Sequence, residues 1–539
     1  VQLQTPGAKP MQVGISDVSL AQRARWHRGI FLVLGFWSCV SVAGWLAHRS
    51  WVQVSWWQLI HSATLGVIAT AILTYITHFT EALTRSAHTG FRGVTIRVGM
   101  VQVGLVVLLL GDPSTAWGPL EIFGAVLVLL AGAMQLGWVI KRLFGSLSGH
   151  FALSVTMYVG ALVSLLVAII CAILAGSGLG AYSALIAAHS RAAIWGFVGM
   201  SILGTVLTLL PTLSGTKISA VARVRFLKGL GFYSLCLIHA VWLLGFNLPR
   251  IAGVFMLGVV VASVYLLHPI IADALGGNVA SAPGGLIAAL MSLVSLQLFD
   301  ATALTFGRDP HAVFESLVPG LLAAVLLMAV FSVLQFLLPT MVGGGPDAVR
   351  AARGCAQRSG YARVVLLLLG GILGVLGHPA AWPLIGLGVI WNVAAIGRAV
   401  VMQGKREEHS VEKSTSRLAW AMVGAALAAA MVMFFGVAQP AQPAAAGDEV
   451  VRVRIEGLRF VPDEVTVPEG TSLRIELENT STMVHDLVLG DQQTRRVQPG
   501  ERDAIELRPS RDVEGWCSLP GHKEAGMVFS LRVTPAQAG

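Results

Sequence analysis

A polytopic all-α membrane bundle followed by a small all-β sandwich is the architecture the sequence predicts, on three observations. Of 539 residues, 55% are apolar and only 12% charged, with a mean hydropathy of +0.73, too apolar for a soluble protein of this length. Apolar runs long enough to cross a hydrocarbon layer of about 30 Å, which takes roughly 20 helical residues, recur about thirteen times between residues 29 and 437. The charge balance then reverses: 26 basic and 12 acidic side chains precede Asp448, while 11 basic and 16 acidic follow from it onward.

Residues 1–28 are polar and lack the apolar core of a cleavable signal peptide, so they read as a cytoplasmic segment and the first span as an uncleaved export signal. The transmembrane domain, 29–437, is expected to hold spans near 30–47, 57–83, 94–111, 118–140, 151–176, 182–210, 229–246, 251–275, 284–300, 315–342, 362–377, 381–402 and 418–437. Basic connections such as Arg23 to Arg28, Lys141-Arg142, Lys217 to Lys228, Arg350 to Arg363 and Lys405 to Arg417 belong on the cytoplasmic side. The intervening loops, such as Asp112 to Trp117 and Gly377 to Pro383, carry almost no Lys or Arg and face outward. An odd span count with the N-terminus inside places the C-terminus outside a cell membrane. Lys and Arg scattered between spans make the lipid bilayer the partner they imply, and argue against nucleic acid, which asks for one basic patch. Cys39, Cys171, Cys236 and Cys355 sit in or beside apolar runs as small hydrophobes, so no disulfide framework is expected.

Residues 438–448 are rich in Ala and Pro and read as a tether. Beyond them, residues 449–535 alternate apolar and polar in short bursts, as in Val451 to Ile455, Leu473 to Leu477 and Phe529 to Val533. Turn residues punctuate the bursts, giving the sandwich.

The sharpest chemistry lies in Gly515-Trp516-Cys517-Ser518-Leu519-Pro520-Gly521-His522-Lys523-Glu524-Ala525-Gly526-Met527, where one loop offers Cys, His and Met at C-x4-H-x4-M. His485, in Met483-Val484-His485-Asp486-Leu487, supplies a second imidazole. Two His, one thiolate and a weak thioether form the electron-transfer copper pattern, because this mixed set accommodates both oxidation states in nearly one geometry. A structural zinc site asks for more thiolates and no thioether. Unligated Cys, His and Met side chains are the plain alternative.

Over about 449–535 this segment resembles the cupredoxins, the plastocyanin and azurin family. The resemblance implies an eight-stranded Greek-key sandwich and a type 1 copper held by His485, Cys517, His522 and Met527, with Asp486 supporting the site from outside the ligand set. His522 would lie near the rim, where electrons enter or leave. The departure is Gly515-Trp516, where an aromatic residue two before the Cys is more usual. A lone centre of this kind has no open position for substrate, so the domain is expected to carry electrons.

Among the membrane His, His61 and His78 on the second span are separated by about 25 Å at 1.5 Å per residue and cannot share one metal. His189 falls at a depth similar to His61. Ionisable residues in spans are expensive and more often functional than not, although a single His also serves by hydrogen-bonding a neighbouring backbone. The stretches His61 to Gly66, Ala188 to Gly196, Thr205 to Pro211 and Leu338 to Pro346 resemble the membrane module of bacterial multicopper oxidases and copper nitrite reductases, itself distantly similar to haem–copper oxidase subunit I. That resemblance makes His61 a haem-ligand candidate and His189 a ligand candidate of less defined kind; with His78, whose span is likewise rich in small and hydroxyl residues that let a planar cofactor approach, they are the cofactor-binding candidates, for a b-type haem or a quinone. With one His on the seventh span and none on the tenth, the usual oxygen-reducing centre cannot be assembled. Arg191 stands where a second His would be expected, and would pair with a haem propionate or with Glu121.

The expectation is therefore a membrane redox protein, exchanging electrons between a quinol or b-type haem and an outward copper that serves an external partner such as a copper nitrite reductase or multicopper oxidase. Copper delivery or storage is the alternative, weakened by the lack of Met-x-x-Met clusters. A nitric oxide-binding or reducing relative of the oxidases is a third, weakened by the missing ligands. Catalysis within the chain is left open.

Overall fold

The computed structural model describes residues 20–49, 56–86, 90–111, 117–145, 153–404, 449–481, 483–490, 492–497, 500–519, 522–523 and 526–534. The span expected at 418–437 and the tether at 438–448 lie outside the described residues.

Thirteen helices precede the strands among the described residues: α1 (Leu20–Arg49), α2 (56–83), α3 (Arg92–Leu110), α4 (Pro119–Phe144), α5 (Leu153–Gly176), α6 (Tyr182–Ser214), α7 (Ala220–Gly245), α8 (Pro249–Leu275), α9 (Ser281–Thr305), α10 (Pro310–Val342), α11 (Pro346–Gln357), α12 (Gly360–Val375) and α13 (Ala381–Gly404). Eleven contain a stretch long and apolar enough to span a membrane, and α11 with α12, bent by 43°, make a twelfth when taken together. The sequence placed one plain span at 362–377. The difference arises upstream, where Gly343, Gly344 and Gly345 take φ of 82°, 96° and 98°, a left-handed path that favours glycine. Pro346 then opens α11 at a position where its missing N–H costs nothing.

Helix α1 starts at Leu20, so the basic cluster Arg23 to Arg28 that the sequence assigned to an N-terminal segment is helical.

Three helices are not α-helical throughout. The backbone ladder widens to i→i+5 over Ser62–Ala69 in α2, Ala192–Gly199 in α6 and Leu321–Leu327 in α10. Such wide turns are rare, yet these begin 130 and 129 residues apart, in every fourth helix. Near the end of α6, Leu209-Leu210-Pro211-Thr212 recurs 128 residues later in α10 as Leu337-Leu338-Pro339-Thr340. Among the described residues the wide turn thus recurs three times at a spacing of four helices.

The chain divides into two units, one running to Ser177 with Ala192–Thr205, the other comprising Gly178–Arg191 and the residues from Val206 onward. In the first, polar side chains link helices that lipid alone would not hold together: Gln102 donates to Thr70 at 2.7 Å, and Gln135 to Thr77 at 3.1 Å. In the second, Ser263 donates to Gln297 at 2.8 Å, and Gln297 in turn donates to Tyr233 at 3.2 Å.

That second unit also holds the largest buried charge pair. Arg191 Nη2 lies 2.7 Å from Asp300 Oδ1 and Nε 3.3 Å from Oδ2, while Nη1 donates to the Pro310 carbonyl at 2.8 Å and to Ser190 Oγ at 3.2 Å. The side chains are 1% and 0% exposed. This corrects the expected pairing with Glu121, which caps its own helix by accepting from Gly118 N at 2.9 Å. The guanidinium is spent on protein partners, joining α6, α9 and the start of α10.

Nine strands follow among the described residues: β1 (Glu449–Ile455), β2 (Phe460–Val461), β3 (Glu464–Pro468), β4 (Leu473–Asn479), β5 (Val488–Leu489), β6 (Gln492–Gln493), β7 (Arg502–Leu507), β8 (Val513–Trp516) and β9 (Val528–Thr534). They form one sheet in the order β2-β1-β4-β7 and another in the order β3-β9-β8-β5-β6. The resemblance implied eight strands; the ninth arises because three of them, β2, β5 and β6, are two-residue pieces. Strand β4 alternates buried and half-buried residues along its length, the period-2 pattern of a sheet with one face inside. Val453, Ile475, Leu477, Leu487, Phe529 and Leu531 fill the space between the sheets.

Candidate metal centre

His485, Cys517 and His522 come together in the sandwich, and Met527 is joined to the same loop through its main chain. His485 sits on an irregular strand pinned by two main-chain bonds with Val497, at 3.2 and 2.7 Å. Asn479, buried at the end of β4, donates to the Val497 carbonyl at 2.8 Å. Cys517 follows β8 directly, and Met527 precedes β9. The intervening loop closes on itself: His522 N donates to Leu519 O at 3.1 Å, Met527 N to His522 O at 2.9 Å, and Cys517 N to Met527 O at 3.2 Å. Pro520, Gly521, Glu524 and Ala525 of this loop lie outside the described residues.

Three ligand atoms converge. Cys517 Sγ is 3.8 Å from His485 Nδ1 and 3.4 Å from His522 Nδ1, and the two nitrogens are 3.2 Å apart. A point equidistant from all three lies about 2 Å from each, the length of a metal–imidazole bond and slightly short of a metal–thiolate bond. Two Nδ1 lone pairs this close repel unless a cation or proton lies between them. Among the described residues this is the only group of three or more His, Cys, Asp or Glu able to hold a metal ion. His485, Cys517 and Met527 are 0%, 1% and 0% exposed, while His522 is half-buried.

The surroundings keep both imidazoles uncharged. Burial and the neighbouring His522 lower His485 to about 3. Burial and His311 lower His522 to about 4, against Asp486 and Asp309, which pull upward. Burial, with Asp486, pushes the Cys517 thiol up, so a metal must displace its proton. Unfolded, each His titrates near 6.5. As pH falls below about 6.5 the unfolded chain takes up protons that the folded site refuses until about 4 and 3, so acid removes stability, by about 1.4 kcal/mol per pH unit for each refused proton. The metal-free protein is therefore expected to melt at a lower temperature at pH 4.5 than at pH 7, followed through the β-sheet signal; equal melting temperatures would contradict the assigned burial.

Asp486 ties the two halves of the centre together. Its Oδ1 accepts from Ser518 N at 2.6 Å, and its Oδ2 from Ser518 Oγ at 2.5 Å and Gln493 Nε2 at 3.2 Å. The residue after one imidazole thus holds the residue after the thiol. Asn479, Ser518 and Gln493 were not singled out in the sequence, since only their contacts reveal them. Gly515 explains the unusual residue two before the Cys: a Cβ there would meet the Val488 carbonyl oxygen at 2.7 Å, so the sheet has no room for a side chain. Trp516 instead takes the aromatic role and lies beneath Lys523, whose Nζ is 4.1 Å from its ring centre.

The membrane His do not gather in this way. His61, at the last α-helical residue before the wide turn of α2, places Nδ1 2.8 Å from the Trp57 carbonyl and stacks on the Trp57 ring at 4.4 Å. His78, further along α2, packs beside His27. His189 is half-buried in α6, two residues before Arg191.

Residues 426–512 match the family model described as a cupredoxin-like domain. The match ends five residues before Cys517, so the ligand loop stands on its own geometry. Among solved structures, the sandwich is similar to sodium dithionite-reduced auracyanin from the photosynthetic bacterium Roseiflexus castenholzii, with 21% identity over 17% of this chain and 100% of that one, at a TM-score of 0.16. It is also similar to auracyanin B, with 23% identity over 18% of this chain and 96% of that one, at a TM-score of 0.16. A third is auracyanin A, a "blue" copper protein from the green thermophilic photosynthetic bacterium Chloroflexus aurantiacus, with 18% identity over 16% and 100% and a TM-score of 0.15. No curated protein matches the chain. The C-terminal domain is a cupredoxin domain, and its His-Cys-His cluster supports a type 1 copper.

Proposed function

We propose that this is a multi-pass protein of the cell membrane that carries electrons between a membrane donor and an external acceptor through a type 1 copper on an outward cupredoxin domain. The observation that carries the reading is the triangle of Cys517 Sγ and the His485 and His522 Nδ1 atoms, with edges of 3.2 to 3.8 Å. Copper would supply one-electron chemistry between Cu(I) and Cu(II). His485, Cys517 and His522 would hold it, and Met527 would offer a weak thioether that tunes the potential. Asp486, through Ser518, ties the segment after His485 to the segment after Cys517. Because the three ligand atoms already converge, a bound copper would need little rearrangement of these residues when it gains or loses an electron.

The donor in this reading is a quinol or a b-type haem. His61, His78 and His189 are the cofactor-binding candidates. At His61, donation of Nδ1–H to the Trp57 carbonyl at 2.8 Å fixes the ring, as a backbone carbonyl does for many metal-bound His, and in this reading Nε2 would be the nitrogen that ligates. The acceptor is an external redox protein, of which a copper nitrite reductase or multicopper oxidase is an example. The N-terminus is cytoplasmic in this scheme, following the basic connections.

The test is an optical spectrum of the detergent-purified full chain, oxidised and then reduced, with copper and iron quantified. An intense blue band that bleaches on reduction supports the copper reading, and a reducible haem signal with iron supports the haem donor. A blue band without iron removes haem and leaves quinol, which redox titration against a quinone pool then checks. A copper-loaded protein with no blue band overturns the electron-transfer reading in favour of copper handling.

A further inference from the structure

We propose that His27 and His78 form a second metal site, in the first unit, for a borderline transition-metal cation of the copper or zinc type. The two residues lie on α1 and α2, and their ring centres are 4.8 Å apart with planes inclined at 39°. The pair that converges at the cupredoxin centre, His485 and His522, has ring centres 4.9 Å apart inclined at 50°. The two pairs share a ring-centre spacing and a similar inclination.

Metal–imidazole bonds of about 2.0 to 2.1 Å put each ring centre about 3.2 Å from the ion. Two centres 4.8 Å apart then subtend about 100° at that ion, between the square and tetrahedral angles. Imidazoles on opposite faces of a haem would place their centres about 6.4 Å apart by the same lengths, and a flat quinone ring between them would need a comparable gap. The spacing suits a bare cation held from one side.

The pair has an aromatic setting. Trp26 lies 5.1 Å from His27 and 5.6 Å from His78, and stacks on Phe91 at 4.5 Å; Tyr75 lies 6.4 Å from His78. These rings form an aromatic wall around the two imidazoles. Glu81 is one helical turn beyond His78, on the same face of α2, and buried. The site takes His78 out of the cofactor-binding candidates of the electron-transfer reading, leaves His61 and His189 there, and does not involve the copper of the cupredoxin domain, so each is tested by its own signal.

The test uses the full-length protein with its cupredoxin centre loaded. Cu(II) is added alone, excess is removed, and copper is counted and examined by electron paramagnetic resonance. The expected result is a second copper per chain with an ordinary, non-blue signal and pulsed-resonance modulation from two imidazoles, displaced by Zn(II). His27→Gln and His78→Gln are each expected to weaken this copper at least tenfold and leave any blue centre unchanged. Second-copper binding that persists unaltered in both variants would overturn the site. Should either variant misfold, as judged by helical circular dichroism, the pulsed measurement on the parent decides: modulation from fewer than two imidazoles, or no second copper at all, refutes it.

Discussion

Replacing Cys517 by Ser is expected to abolish the blue absorption completely while leaving the domain folded. The hydroxyl is nearly the size of the thiol, and Cys517 is 1% exposed within a core built by both sheets, so little packing is lost. What disappears is the one thiolate among the converging atoms. Any copper retained by His485 and His522 would then give the weak absorption of a site with nitrogen and oxygen ligands. Asp486→Ala is a useful companion, because it removes three bonds to Ser518 and Gln493 without touching a ligand atom. It is expected to keep a blue centre but broaden its spectrum and shift its potential. A Cys517→Ser protein that stays blue would show that the colour comes from elsewhere.

Arg191→Leu is expected to destabilise the membrane part by about 3–5 kcal/mol, since it leaves Asp300 as an uncompensated charge in a dry interior. The same loss is expected from Asp300→Leu. The double variant Arg191→Leu, Asp300→Leu should recover most of it, because the desolvation cost of both ions vanishes together. Thermal unfolding of all three in detergent, read through the helical signal, checks this. If single and double variants lose equal stability, the pair acts through its bond to Pro310 and the packing of α6, and not through charge balance.

The helical part was legible because crossing a membrane demands a run of apolar residues, a property composition states outright. The twelve spans that fall on described residues all coincide with helices, with the bent pair α11 and α12 standing for one of them. The wide turns at Ser62, Ala192 and Leu321 were not legible, since they depend on which carbonyl each N–H reaches, and the residues there are ordinary helix formers. At the metal centre, C-x4-H-x4-M and an upstream His could be seen because a short loop forces its ligands together. Asn479 and Ser518 could not, as neither belongs to a ligand pattern. Asp300 was missed because it lies at the edge of the span drawn as 284–300, where a charge looks like a loop residue. Folding buries it and supplies Arg191 from 109 residues away. His27 was hidden for a similar reason. It belongs to the run Arg23 to Arg28, which reads as a topological signal, and only the early start of α1 carries its ring to His78.

The threefold recurrence of the wide turn separates backbone geometry from chemistry. The residue just before each widened segment is His61 in α2, Arg191 in α6 and Gly320 in α10: a ring with two nitrogens, a buried cation and no side chain at all. One backbone device has thus been filled three ways. Because each such turn acts much like a residue inserted into an α-helix, it rotates everything beyond it by about 100° relative to an uninterrupted helix. The face of α2 that carries His61 and the face that carries His78 are therefore set independently of one another. A helix with such a turn can exchange its polar residue at one end while the neighbours engaged at the other end stay in place.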